Sequence, residues 1–136
     1  MPETIEIRCL ETLADREIQG LCDVLIDCVE GGASVSFMLP MSRAKAQAYW
    51  RAAAASVTRG ELLLLAAADA AALLAGAERA ALSAGKTLLV LDTASGDAQR
   101  LYARHGWQRC GQIPHYALWP DGAPCATTIF FKFQRS

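Results

Sequence analysis

Apolar and polar residues change rhythm several times along the chain, and each rhythm predicts an element. From Thr4 to Leu10 they alternate singly, as a half-buried strand requires. From Ile18 the spacing lengthens: Ile18, Leu21, Cys22, Leu25, Ile26 and Val29 recur at helical intervals, which predicts an amphipathic helix with that stripe inward. Thr12 or Asp15 is its expected N-cap, and Gly31-Gly32 ends it. Val35 to Met41 is a short apolar connection containing Pro40. Ser42 then caps a second helix running through Val57, with Ala46, Tyr49, Trp50 and Ala53 on one face.

Glu61 to Ala66 reads as the next strand, followed by an alanine-rich join into a helix over Leu73 to Leu82. Gly85 to Trp107 is the stretch around which the rest is organised. Its apolar run Thr87 to Leu91 is short and continuous, which predicts a strand buried on both faces. Small turn residues follow, then Ala98, Leu101 and Tyr102 at helical spacing until Gly106 stops the helix. Ligands in open α/β sheets gather at the carboxyl ends of such strands. Gln108 to Ala117 is a further strand with Gly111 as either a bulge or a point of close approach, and Pro120-Asp121-Gly122 turns the chain into a last strand, Ala126 to Phe133. The elements define an α/β chain of one domain, residues 1–136.

Composition narrows the function. Hydrophobic residues make up 53% of the 136 and charged residues 20%, which is globular rather than disordered. The net charge of −1 and the scattered basic residues argue against nucleic acid. The apolar stretch Leu62 to Leu82 contains Asp69, Glu78 and Arg79, so no membrane span is expected, and Glu3, Glu6 and Arg8 break any signal-peptide layout. Five cysteines without a CxxC pair, and two histidines, fit reduced thiols in the cytoplasm and no metal site. Cys22 reads as core. Cys110 has His105 and His115 nearby in sequence, but faces alternate along a strand and no oxyanion nest accompanies it, so a Cys/His hydrolase is disfavoured.

Ser95-x-x-Ala98-x-x-x-Tyr102-x-x-x-Gly106-Trp107 resembles the C-terminal signature of the GNAT acyl-CoA N-acyltransferases, usually Asn-x-x-Ala-x-x-x-Tyr-x-x-x-Gly-Phe. Gly111 to Ala117, Pro120 to Gly122 and Thr128 to Phe133 extend the likeness, which covers Gly85 to Phe133 well and the first half loosely. The resemblance implies a mixed, largely antiparallel sheet flanked by helices, acetyl-CoA as cosubstrate without a metal, and transfer of the acetyl group to an amine of a small molecule. A homodimer is compatible with it. Tyr102 would protonate the leaving CoA thiolate, since a phenol ordinarily keeps its proton at neutral pH; the other reading is a ring that packs beneath the strand. Ser95 and Ala98 would lie along the pantetheine arm, Ser95 also serving as a helix cap. Asp92 and Tyr116 would border the acceptor amine, with Asp92 alternatively a turn residue; His115, Phe37 and Met38 are lesser candidates there.

The chain departs from the family in its middle. A complete GNAT domain continues after the second strand through a hairpin, a long central strand and an Arg/Gln-x-x-Gly-x-Gly/Ala loop whose backbone N–H groups cradle the CoA pyrophosphate. Here Leu65 runs through alanines and Asp69 directly into the next helix. Two readings stay open: a protein without these parts, or one whose full-length coding sequence includes a segment absent from these residues. The first favours a degenerate binding or interaction module, the second an enzyme.

Overall fold

The computed structural model describes residues 6–67, 69–94 and 96–135. Among them, two small sheets and four helices follow the order β1 (Arg8–Cys9), α1 (Asp15–Glu30), α2 (Arg43–Thr58), β2 (Leu65–Ala66), α3 (Ala70–Ser83), β3 (Leu88–Thr93), α4 (Gly96–Arg104), β4 (Gln108–Leu118) and β5 (Pro124–Phe133). The result is the α/β architecture expected, a largely antiparallel sheet flanked by helices, without a central hairpin or strand between β2 and α3.

α1 forms as its stripe dictates, and Ile18, Cys22, Leu25 and Val29 are buried on it. Its N-cap is Ala14, in extended backbone and with no side-chain bond, rather than Thr12 or Asp15. α2 begins at Ser42, whose hydroxyl accepts from the Lys45 N–H at 3.1 Å. The two helices share a core of the α1 stripe with Met41 and Ala46, flanked by Leu13, Phe37 and Trp50. Arg43 ties them together, donating to Gln19 at 2.8 Å and forming an ion pair with Asp23 that raises its pKa above the ordinary guanidinium value.

β1 and β2 pair antiparallel over two residues only, Arg8 with Ala66 and Cys9 with Leu65, so the longer strands expected over residues 4–10 and 61–66 are mostly loop. Thr4 and Ile5 lie outside the described residues. A strand's length is set by what pairs with it, and β2 has a two-residue partner. Gly76 lets α3 approach this sheet, because a methyl there would meet the Ile7 side chain at 2.9 Å.

The larger sheet has the order β3-β5-β4, all antiparallel. β3 alternates between exposed and half-buried positions, Val90 being 64% exposed. The expectation of a strand buried on both faces is therefore corrected: β3 is an edge, and nothing among the described residues covers its outer side. The accessible surface, 9018 Å², exceeds the roughly 6,900 Å² of a compact monomer of this mass. The face bearing Leu88, Val90 and Phe133 accounts for part of that excess.

On the other face Phe130, 3% exposed, packs against Tyr102 at 5.8 Å between ring centroids, and Tyr102 against Trp107 at 5.9 Å. Glu78 of α3 closes this layer, accepting from the Trp107 indole at 2.7 Å and from Lys132 at 3.1 Å. Glu78→Ala would leave a buried indole N–H without an acceptor, at a cost of about 2–3 kcal/mol. Glu78→Gln, which keeps an acceptor, should cost less than about half as much. Urea unfolding of the two variants checks this; equal losses would contradict it.

Candidate active site

At the carboxyl end of β3 the chain leaves the sheet through Thr93 and Ala94 and enters α4 at Gly96. A cleft of about 580 Å³ opens there. One wall is the end of β3 with Asp92; another is Tyr116 and Ala117 of β4 with Cys125 to Thr127 of β5; the third is the loop 31–36 between α1 and α2. That loop reaches the sheet because two long-range bonds hold it to the β4–β5 turn, Ser34 donating to the Leu118 carbonyl at 3.2 Å and Leu39 N–H to the Pro120 carbonyl at 2.9 Å. Within it Ser36 adopts a left-handed conformation at φ 69°, uncommon outside glycine.

Asp92 is positioned by the central strand. Thr127, 3% exposed, donates its hydroxyl to Asp92 Oδ2 at 2.8 Å, committing one carboxylate oxygen and fixing the side chain over the cleft. Tyr116, 59% exposed, follows His115, whose φ of 54° belongs to an irregular stretch of β4 between Ile113 and Ala117. The two proposed acceptor-side residues thus line one cleft.

Tyr102 is placed elsewhere. Leu91 pairs with Phe130 and Asp92 with Ile129, so alternation puts Phe130 and Asp92 on opposite faces of the sheet. Tyr102 stacks on Phe130, and Gln99 of the same helix donates to Thr128 at 3.2 Å. Tyr102 does not line the cleft. Ala98 lies half-buried in the first turn of α4, and Ser95 is outside the described residues. Phe37 packs edge-on against Tyr49 at 5.2 Å, so Ser34 to Ser36, not Phe37 and Met38, supply that wall.

The two faces meet at the open edge of β3. Gln134 N–H bonds to the Thr87 carbonyl at 2.8 Å, so odd-numbered residues of β3 direct their backbone groups toward β5. By the same parity Leu88, Val90 and Asp92 direct N–H and C=O outward, where no strand pairs with them among the described residues. Those groups are strong obligatory hydrogen-bonding partners.

Sequence reasoning missed Thr127 and loop 31–36. Thr127-Thr128 in an otherwise apolar strand was the available signal for the first; Gly31-Gly32 with two nearby serines was a weak one for the second. Among the described residues no group of His, Cys, Asp and Glu side chains is arranged to hold a metal, and no helix is long and apolar enough to cross a membrane.

No family model matches the sequence. Solved structures do match. A protein of Acinetobacter baylyi ADP1 assigned as an acetyltransferase superposes with a TM-score of 0.75 at 12% identity, over 98% of this chain and 95% of its own. A Salmonella typhimurium protein, assigned likewise and solved with its cofactor acetyl-CoA, gives 0.68 at 11%, over 98% and 96%. A GNAT-family acetyltransferase of Streptococcus pneumoniae gives 0.63 at 15%, over 96% and 100%. The fold of this chain is that of the GNAT acetyltransferases.

The chain fits one end of the donor that this fold implies and not the other. The open β3 edge presents backbone N–H and C=O groups of the kind that an amide-bearing pantetheine arm pairs with. The nucleotide end has no counterpart of the Gly-rich loop, since two residues separate Ala66 from the N-cap Asp69, and Asp69 itself occupies the amino end of α3.

Proposed function

We propose that this protein is a GNAT-type N-acyltransferase that moves an acetyl group from a thioester donor, acetyl-CoA in the family's usual case, to the amine of a small molecule. The observation that carries the reading is the cleft at the carboxyl end of β3, with Asp92 anchored by Thr127 beside an unpaired strand edge. The donor supplies an activated carbonyl. The protein's own groups do the rest.

Asp92 holds the acceptor's ammonium and takes its proton, directly or through water, so that a neutral nitrogen meets the carbonyl. The outward N–H groups of Val90 and Asp92 stand where a donor laid along the edge would place its carbonyl oxygen, and they offset the negative charge that develops on it. In the family these donors come from a central strand; here the edge of β3 takes their place. Tyr102, which packs on Phe130 of the central strand on the opposite face of the sheet, is assigned the proton for the departing sulfur. The balance is amine plus thioester to amide plus thiol.

Tyr102→Phe is expected to lower kcat for amine-dependent thiol release about a hundredfold and to leave the melting temperature almost unchanged, because the ring contacts with Trp107 and Phe130 persist. Unchanged kcat would remove Tyr102 from the mechanism. A second reading, a GNAT-fold module that binds without catalysis, is favoured by the missing phosphate cradle; amine acetylation detected by mass spectrometry excludes it.

A further inference from the structure

Asp92 is shared by two hollows. Besides the cleft, it lines with Tyr116 and Thr127 a groove of about 190 Å³ whose other walls include Val90, Ile113 and Ile129. Asp92 pairs with Ile129 and Ile113 with Thr127, so these side chains share one face of the sheet. Tyr116 joins them because β4 is irregular there: it advances four residues, from Ile113 to Ala117, while β5 advances two, from Thr127 to Cys125. A cavity of about 150 Å³ is enough to hold benzene. The groove therefore has room for one ring, with a carboxylate where it meets the cleft and an exposed tyrosine along its side.

Charge around this place has one sign. Among the described residues that line the cleft and the groove, Asp92 is the only charged side chain. The sequence reinforces this, since no Lys, Arg or His occurs in residues 17–42, 87–99 or 116–131, the stretches that supply loop 31–36, the end of β3 with the entry to α4, and the turn into β5. His115 precedes Tyr116 but lines neither hollow. An ammonium is matched by Asp92. A carboxylate on the same molecule meets no counter-charge and stands close to a like charge.

We infer that the acceptor is a primary amine that carries an aromatic ring and no carboxylate, with its ammonium on Asp92 and its ring in the groove beside Tyr116. The inference rests on the acyltransferase reading and adds the acceptor's class to it. Amino acids are refused by charge. The second cation of a diamine is refused by the apolar walls of the groove.

Three probes test this: phenethylamine, L-phenylalanine and putrescine. Each is offered with acetyl-CoA or acetyl-pantetheine as donor, and each is titrated into the protein by calorimetry without donor. Phenethylamine should be acetylated with a kcat/KM at least about a hundredfold above that of L-phenylalanine, which differs by the carboxylate alone, and about tenfold above that of putrescine. Tyr116→Leu should raise KM for phenethylamine about tenfold. The binding preference for phenethylamine over L-phenylalanine should hold without donor and shrink at least about tenfold in Asp92→Asn, where the charge is gone. L-phenylalanine or putrescine acetylated as well as phenethylamine contradicts the inference while sparing the acyltransferase reading. Selective binding of phenethylamine with no amine acetylated supports the recognition and overturns the transfer. Neither binding nor acetylation of any probe overturns both.

Discussion

Phe130→Ala is expected to destabilise the fold by about 3–5 kcal/mol, a large part of the roughly 5–15 kcal/mol available to a domain. Phe130 is 3% exposed on the central strand, with Tyr102 on one side and its cross-strand partner Leu91 beside it. Truncation removes the surface on which α4 rests. The melting temperature should fall by roughly 10–20 °C, and the near-ultraviolet signal of Trp107 should weaken with it. Phe133→Ala is the control. It deletes the same ring three residues along the same strand, at a position 68% exposed, and should cost less than about 1 kcal/mol. Equal losses at the two positions would mean that the face bearing Val90 and Phe133 is covered in solution.

Asp92→Asn is expected to lower kcat/KM for amine acetylation at least about a hundredfold with little change in stability. Asn retains a side-chain oxygen for the Thr127 hydroxyl, so the geometry of the pair persists while the negative charge and the proton acceptor are lost. Thr127→Val separates positioning from chemistry. It keeps the carboxylate but frees it, and should lower kcat by a smaller factor, roughly tenfold. Full activity in Asp92→Asn would assign the carboxylate to the turn after β3 instead.

Much of this architecture was legible in the sequence where a local signal decides. The stripe of α1, the Ser42 cap of α2 and Gly106, at φ 83° after α4, act within one or two turns of chain and were read correctly. The register shift between Arg109 and Gly111, next to the glycine that signals it, and the turn through Gly122 were legible for the same reason. The strands that failed depend on distant partners. Leu62 to Leu65 is apolar enough for a longer strand, yet only the last of these joins β2, because β1 offers two residues to pair with.

β3 shows the same limit from the other side. Its unbroken apolar run implies two covered faces, and that implication fails because Leu88 and Val90, 51% and 64% exposed, lie on a face left open to solvent. The departure from the family in the middle of the chain was visible in the alanines after Leu65, but its consequence, an open edge that directs the backbone of Leu88, Val90 and Asp92 outward, requires the register against β5. Asp92 and Tyr116 were chosen from the sequence for the acceptor side, and the fold places both at one cleft. Loop 31–36 could not be foreseen, since its position rests on bonds such as Ser34 to Leu118, 84 residues apart.

The central claim is that a thioester donor lies along the open edge of β3 at this cleft. Backbone amide chemical shifts of the labelled protein, followed while acetyl-pantetheine is added, test it directly and tolerate weak binding. The account predicts shifts at Leu88, Val90 and Asp92, continuing to Gly96 and Ala98, with the α1–α2 core unmoved. Shifts confined to other surfaces, or none at millimolar donor, would contradict it.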